Sequence, residues 1–308
     1  MNRGGVALVA AGLMLAVAGA LAFAQARPEA IEPPPELFAM DATVWAGPRL
    51  ASGQRAGVVV LVPKGRAPSD RFPLLIAMHG LGETWRGPER GAWGWVRDYW
   101  LPRADRALRD APLDASDLEN LVDPPRLAAL NQSLRNERYG GLVVLLPFTP
   151  DVRARLGGPE HRAFDRWLSH DLVARARREL PVIPTREATG IDGVSLGGLH
   201  ALWTGLGHPE AFGSVGALQP AVRTRQAVVL SRFVSSARRP SQRIRIVTST
   251  NDALRDDVTQ LDRAMGAARI THEFKLLTGP HDYVFNRGPG AIEMLLFHDR
   301  ALRGRPAP

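Results

Sequence analysis

From about residue 41 onward, short unbroken apolar runs alternate with longer stretches whose apolar positions recur every three or four residues. Residues 58–62 (Val-Val-Val-Leu-Val) stop at Pro63, 74–78 (Leu-Leu-Ile-Ala-Met) stop at His79-Gly80, and 142–146 stop at Pro147. Further runs cover 188–192, 214–218, 244–248 and 270–277. Runs of this length without strict alternation predict strands covered on both faces. Between them, Leu127, Leu130 and Leu134 share a helical face behind Asp123-Pro124, as do Phe164, Trp167, Leu168, Leu172 and Val173. Residues 196–206 form a third helix candidate. Val258, Leu261 and Met265 mark a fourth, with Asp256 or Asp257 as its expected cap. Strands separated by helices pair in parallel, so the pattern predicts an α/β fold: a doubly wound, mostly parallel sheet with helices on both faces. Residues 81–123, rich in Trp, Pro and Asp and weak in periodicity, read as an insertion after the third strand, at the sheet's carboxyl edge.

The first residues obey a different rule. Arg3 precedes an apolar run over 6–22, and Ala22-Phe23-Ala24 places small residues at the two positions a signal peptidase reads. A signal peptide over 1–24 is expected, cleaved after Ala24, so that the protein is exported to a periplasm or secreted. An uncleaved membrane anchor is the alternative, weakened by the run's Ala and Gly content. Pro28 and Pro33-Pro34-Pro35 mark 25–40 as an extended linker. The domain proper then covers 41–308.

Composition narrows the chemistry. The chain has no cysteine, which excludes disulfides, a thiol nucleophile and thiolate metal sites. The net charge is +8, and of 39 basic residues only Lys64 and Lys275 are lysines. The arginines are scattered among 31 acidic residues without an aromatic-interleaved basic run, so they read as solvated faces and no nucleic-acid partner is expected.

The sequence Gly193-Val194-Ser195-Leu196-Gly197-Gly198 lies between a predicted strand and a predicted helix. A serine on so sharp a turn is exposed as a nucleophile, small residues on either side let strand and helix approach, and the Leu196 N–H can donate to an oxyanion. His79-Gly80-Leu81-Gly82 closes an earlier strand, and the Leu81 N–H is the expected second donor, with His79 structural. After the elbow, Asp252 ends the strand at 244–249, with Asp256 and Asp257 as rival acids one turn on. His281 follows the last strand through Gly279-Pro280. Of the other histidines, His272 falls inside a strand, His298 on a terminal helix and His200 just after the elbow. The order Ser195, Asp252, His281 is that of α/β hydrolases and predicts a catalytic triad on the α/β-hydrolase fold.

On these residues the chain resembles the esterase D-like, or enterochelin esterase-like, family of α/β hydrolases. The resemblance spans about 58–281. It rests on Phe72-Pro73-Leu74-Leu75-Ile76-Ala77-Met78-His79-Gly80, on the elbow, on His208-Pro209-Glu210-Ala211-Phe212 and on Gly279-Pro280-His281. It implies hydrolysis of a carboxylic ester or thioester through a serine acyl-enzyme, with no metal or organic cofactor. Acyl transfer to an alcohol or sugar by the same triad is the alternative, and a catalytically silent envelope-binding module is a further one. Two features depart from the family: the long segment 81–123, and Gln219-Pro220 where a small pair such as Ser-Gly is expected. Both border the expected pocket. Trp85 and Trp93, with Trp95 and Trp100, follow the oxyanion loop, so Trp85, Trp93 and Gln219 are the expected substrate contacts, and Arg86, Arg90 and Arg97 are placed to meet an anionic group. The partner expected is a small-molecule, glycan-linked or polymer-linked ester; the natural ester and the oligomeric state are open.

Overall fold

The computed structural model describes residues 37–50, 52–225, 229 and 241–308. The expected signal peptide and most of the expected linker lie outside the described residues. Eight strands form one sheet: β1 (Met40–Arg49), β2 (Arg55–Pro63), β3 (Leu74–Met78), β4 (Val143–Pro147), β5 (Thr189–Gly193), β6 (Ser214–Leu218), β7 (Arg243–Asn251) and β8 (Glu273–Pro280). Their order is β1-β2-β4-β3-β5-β6-β7-β8. β2 pairs antiparallel with β1 and β4, and every pair from β4 to β8 is parallel. This is the doubly wound, mostly parallel sheet of the α/β-hydrolase fold.

Both faces of the sheet are covered, which is why its strands read as continuous apolar runs. Alternate residues divide between two cores. Val59, Leu61, Leu75, Ala77, Val144 and Leu146 face one layer, built from α1 (Leu101–Asp110), α2 (Pro124–Asn136) and, at the chain's end, a helix over Ala291–Leu302. Val58, Val60, Leu74, Ile76, Met78, Val143 and Leu145 face the other. There α3 (Pro159–Arg166) runs through a π-helical stretch into α4 (Val173–Glu179), followed by α5 (Leu196–Gly207) and α6 (Arg255–Ala267). The terminal helix is α7. No helix among the described residues is long and apolar enough to cross a membrane.

Residues 81–123 contain three one-turn helices and α1. They are not a separate layer at the edge: Trp95, Val96, Tyr99, Leu101, Ala104, Leu108, Leu113 and Leu118 are core residues of the first face. Pro88, Gly94 and Pro102 open, and Gly91 closes, short helices, and those before α1 are too brief for a 3.6-residue period to accumulate. Asp256 and Asp257 lie in the first turn of α6 and do not cap it, since Leu254 is the N-cap; there their charge complements the helix dipole.

The carboxyl half of the sheet is fixed by buried polar bonds. Asp192 on β5 accepts the Gly193 N–H through Oδ1 at 2.6 Å and meets His298 Nε2 of α7 through Oδ2 at 2.9 Å. The ring's Nδ1 lies 2.7 Å from Ser214 Oγ on β6. With Nε2–H donated to the carboxylate, Nδ1 accepts the hydroxyl. All three side chains are buried, and a Cβ on Gly190 would strike His298 Nδ1 and Ser214 Oγ.

Candidate active site

Ser195 ends the β5 exit and is the N-cap of α5, with φ 55° and ψ −111°. A non-glycine residue with positive φ in this region is strained, and surrounding contacts must hold it there. The Ser195 N–H donates to Leu218 O at 2.9 Å, and its carbonyl accepts from Ala221 N at 2.9 Å. Gly193 and Gly197 permit the turn, because a Cβ on Gly193 would lie 2.5 Å from the Gly197 carbonyl carbon. A Cβ on Gly197 would drive into Met78 O, 2.6 Å from Met78 C and 2.7 Å from His79 O. The elbow is thus pressed against the end of β3, where the other expected oxyanion donor begins.

Leu81 and Leu196 each open a helix, so the helix itself does not use their N–H groups. The loop carrying Leu81 is pinned from two sides. His79 is buried; its Nδ1 lies 2.9 Å from Gly80 O, and its Nε2 accepts the Thr149 N–H at 2.9 Å. That pattern requires a neutral ring, and burial pushes the His79 pKa down to about 4, against the raising effect of the Gly80 carbonyl. On the other side the Gly80 N–H donates to Tyr99 Oη at 3.3 Å, and Tyr99 donates to Glu83 Oε2. Tyr283, two residues past His281, donates to Glu83 Oε1 at 2.8 Å. Burial and the Glu83 charge raise both tyrosine pKa values, which keeps both hydroxyls donors.

At the β7 and β8 exits, His281 Nδ1 lies 2.7 Å from Asp252 Oδ1. The same oxygen accepts from Leu254 N at 2.8 Å, and Oδ2 accepts from Thr248 Oγ1 at 2.8 Å. Burial raises the Asp252 pKa, but the His281 bond and charge and the two other donors outweigh it, so the net shift is downward. The carboxylate side chain is fully buried while the His281 side chain is 26% exposed. The rival Asp256 points to solvent at 89% exposure.

The structure therefore joins Asp252 to His281 and sets Ser195 beside the Gly80 loop. Ser195 Oγ has no hydrogen-bond partner among the described residues. Apo catalytic contacts of this kind often tighten only with substrate. Gln219 connects the two halves of the site. Its N–H donates to Val247 O at 2.7 Å, and Nε2 donates to Ser249 Oγ at 2.6 Å and to Pro280 O at 2.8 Å. Expected as a substrate contact, Gln219 is instead fully buried, with its amide nitrogen spent on the turn that delivers His281.

The tryptophans separate by burial. Trp95 is core, packed edge-on to Tyr99 at 4.8 Å between ring centroids. Trp93 is half-buried beneath Arg97, whereas Trp85 is 71% exposed one turn beyond Leu81. Arg86 is bound to Asp98 at 2.5 Å and so is not free for an anionic substrate group. His200 is buried, its Nε2 lies 3.1 Å from Pro150 O, and burial lowers its pKa to about 4. Among the described residues, His170, His208 and Glu210 could jointly hold a metal ion. However, His208 already meets Asp165 at 3.1 Å and Glu210 at 2.9 Å, and the group lies past the far end of α5 from Ser195. The residues that sequence reasoning missed are Glu83, Tyr99 and Tyr283; they come from separate segments and carry no motif.

The segment from the end of β4 through His281 is the part that matches a known family: residues 149–288 match the model described as "Putative esterase". Over that segment the chain is similar to the esterase family. The match supports a carboxylic ester hydrolase. Solved structures sharing the esterase's fold include an S-formylglutathione hydrolase from Staphylococcus aureus, with TM-score 0.57 and 13% identity, covering 86% of this chain and 98% of that one. A CE1 ferulic acid esterase from Anaeromyces mucronatus, in complex with ferulic acid, has TM-score 0.55 and 16% identity, covering 89% and 96%. An S-formylglutathione hydrolase from Agrobacterium tumefaciens has TM-score 0.55 and 18% identity, covering 88% and 99%. At these identities the likeness is one of fold. No curated protein was found to match the esterase.

Proposed function

We propose that the chain is an exported serine esterase whose triad is Ser195, Asp252 and His281. The observation that carries the reading is the pairing of His281 Nδ1 with the buried Asp252 carboxylate at 2.7 Å, at the same sheet edge as a serine held at φ 55°. Because Nδ1 faces a carboxylate, it carries the proton, and Nε2 is left with a lone pair. His281 Nε2 takes the Ser195 proton as Oγ attacks the ester carbonyl, and the Leu81 and Leu196 N–H groups stabilise the oxyanion. Collapse of the tetrahedral intermediate expels the alcohol, which receives the proton from Nε2. Water then attacks the acyl-enzyme, giving its proton to the same nitrogen; the acid leaves and the proton returns to Ser195. The exposed indole of Trp85, one turn past Leu81, supports an acyl or aryl group packed beside the oxyanion loop, and we assign Trp93 the same role. One of the fold neighbours was solved with an aryl acid, ferulic acid, bound.

Export rests on the basic start, apolar run and Ala22-Phe23-Ala24 of the first 24 residues. The mass of the protein recovered from the periplasm or medium tests it. The triad is tested with a fluorophosphonate probe and 4-nitrophenyl butyrate. Wild type is expected to be labelled on Ser195 and to turn the ester over, and Ser195→Ala to do neither. Equal rates in the purified mutant would overturn the assignment.

A further inference from the structure

A cavity of about 410 Å³ is lined by Asp151, Arg153, Ala221, Arg223 and Arg225. Asp151 and Arg153 follow β4, whereas Ala221, Arg223 and Arg225 follow β6. Between those strands in the sheet lie β3 and β5, whose exits carry Leu81 and Ser195. One wall is joined to the elbow directly, since the Ala221 N–H donates to Ser195 O at 2.9 Å. The cavity's two walls therefore flank the exits of β3 and β5, beside the proposed nucleophile.

Its charge is unbalanced. Arg153 is gripped by Asp151 through Nε and a terminal nitrogen, both at 2.9 Å, so that pair is neutral. Arg225 is held in place by donating to Arg153 O at 2.9 Å, which uses a carbonyl and no carboxylate. Arg223, exposed and at φ 41°, has no carboxylate partner among the described residues. The sequence shows the same bias: between Glu210 and Asp252 there are seven arginines and no acidic residue. Two of them, Arg243 and Arg245, are used at the opposite end of the sheet on Arg305 O, Glu273 and Glu293. Two guanidiniums facing one cavity without counter-charges form a site for a planar anion, which arginine meets with paired hydrogen bonds.

We propose that Arg223 and Arg225 select esters bearing a carboxylate, on either the acyl or the alcohol side of the scissile bond. This rests on the serine-esterase reading and adds the substrate class. Arg223 and Arg225 are binding residues here, and neither acts on the scissile bond.

The test compares matched pairs: mono(4-nitrophenyl) adipate with 4-nitrophenyl hexanoate for an acyl-side anion, and 4-acetoxybenzoate with its methyl ester for an alcohol-side anion. In one pair kcat/KM is expected to favour the anion by about 10-fold or more, the scale of one charge-assisted hydrogen bond. Arg223→Gln is expected to erase most of that ratio, and raising NaCl from 0.02 to 0.5 M to reduce it in wild type, as screening requires (roughly tenfold and severalfold respectively). Ratios at or below one in both pairs, with the neutral esters turned over, would overturn the substrate class and leave the esterase reading intact. If no ester is turned over, the esterase reading fails, and calorimetric titration of wild type and Arg223→Gln with adipate and hexanoate decides the pocket alone. Tighter adipate binding that is lost in the variant supports it; equal binding overturns it.

Discussion

Replacing Tyr99 by Phe removes a single oxygen and should disturb both the stability and the catalysis of this protein. That oxygen accepts the Gly80 N–H and donates to Glu83, whose other oxygen is bound by Tyr283. Tyr99 and Glu83 are buried, at 3% and 1% exposure, so water does not readily replace the lost partner. The phenyl ring keeps its edge-on contact with Trp95, so packing is nearly unchanged. An unpartnered buried N–H costs about 1–3 kcal/mol, and a lost bond to a charged acceptor about 1.5–3 kcal/mol. Together these give roughly 3–5 kcal/mol, a large part of a typical total of about 5–15 kcal/mol. Urea denaturation should show a lower midpoint at unchanged slope. Because Gly80 precedes the Leu81 donor, kcat on 4-nitrophenyl butyrate should fall about 10-fold or more, with a smaller change in KM, as expected for a misplaced oxyanion donor. Tyr283→Phe should weaken the same carboxylate less, since that tyrosine is half-buried, and the double mutant should be non-additive. A Tyr99→Phe protein within 1 kcal/mol of wild type and with unchanged kcat would refute the idea that this network holds the loop.

Three further outcomes follow from the geometry. Asp252→Ala should lower kcat on the order of 10⁴-fold, whereas Asp256→Ala, at a solvent-facing position, should stay near wild type; steady-state kinetics of the two variants separates the rivals. Gly197→Ala should give little soluble protein, because its methyl group would enter the Met78 and His79 backbone, and recovery of a folded mutant by circular dichroism would show that the elbow has more room than these contacts allow. His79 and His200, both lowered to about 4 by burial, hold stability that is complete above pH 6.5 and lost as pH falls toward 4, on the order of 3 kcal/mol each across that window. His208 acts oppositely: burial lowers its pKa, but Asp165 and Glu210 raise it further, so its smaller contribution is lost as pH rises through the folded value. Urea midpoints should therefore drop between pH 7 and pH 5; equal midpoints would contradict the neutral buried rings.

Seven of the eight strands could be read from their apolar runs, and β3 and β6 coincide with the runs at 74–78 and 214–218. β1 was not, because this edge strand buries few of its residues and shows solvent most of the rest, including Val44 at 58% exposure. The elbow was legible because its Gly-x-Ser-x-Gly-Gly pattern is local, although the collisions its later glycines avoid are with distant Met78, His79 and Pro220. The Asp252–His281 pair was legible through chain order. Glu83, Tyr99 and Tyr283 were not, because their meeting depends on how three one-turn helices fold back, and none of the three belongs to a periodic stretch. Gln219 differs from its expected place at the pocket's border: it is buried, with Nε2 bonded to Ser249 and Pro280.

The buried Ser214–His298–Asp192 cluster gives the molecule an internal control. The same three residue types stand at hydrogen-bonding distance there, 2.7 and 2.9 Å apart, as any triad search would demand. Yet all three side chains are buried, and Ser214 opens β6 without the positive φ that marks Ser195. An electrophilic probe offered both serines thus meets one at a mouth and the other sealed inside a sheet. Labelling confined to Ser195 would show that access and a strained turn, beyond the mere company of histidine and aspartate, distinguish a nucleophile from a structural hydroxyl.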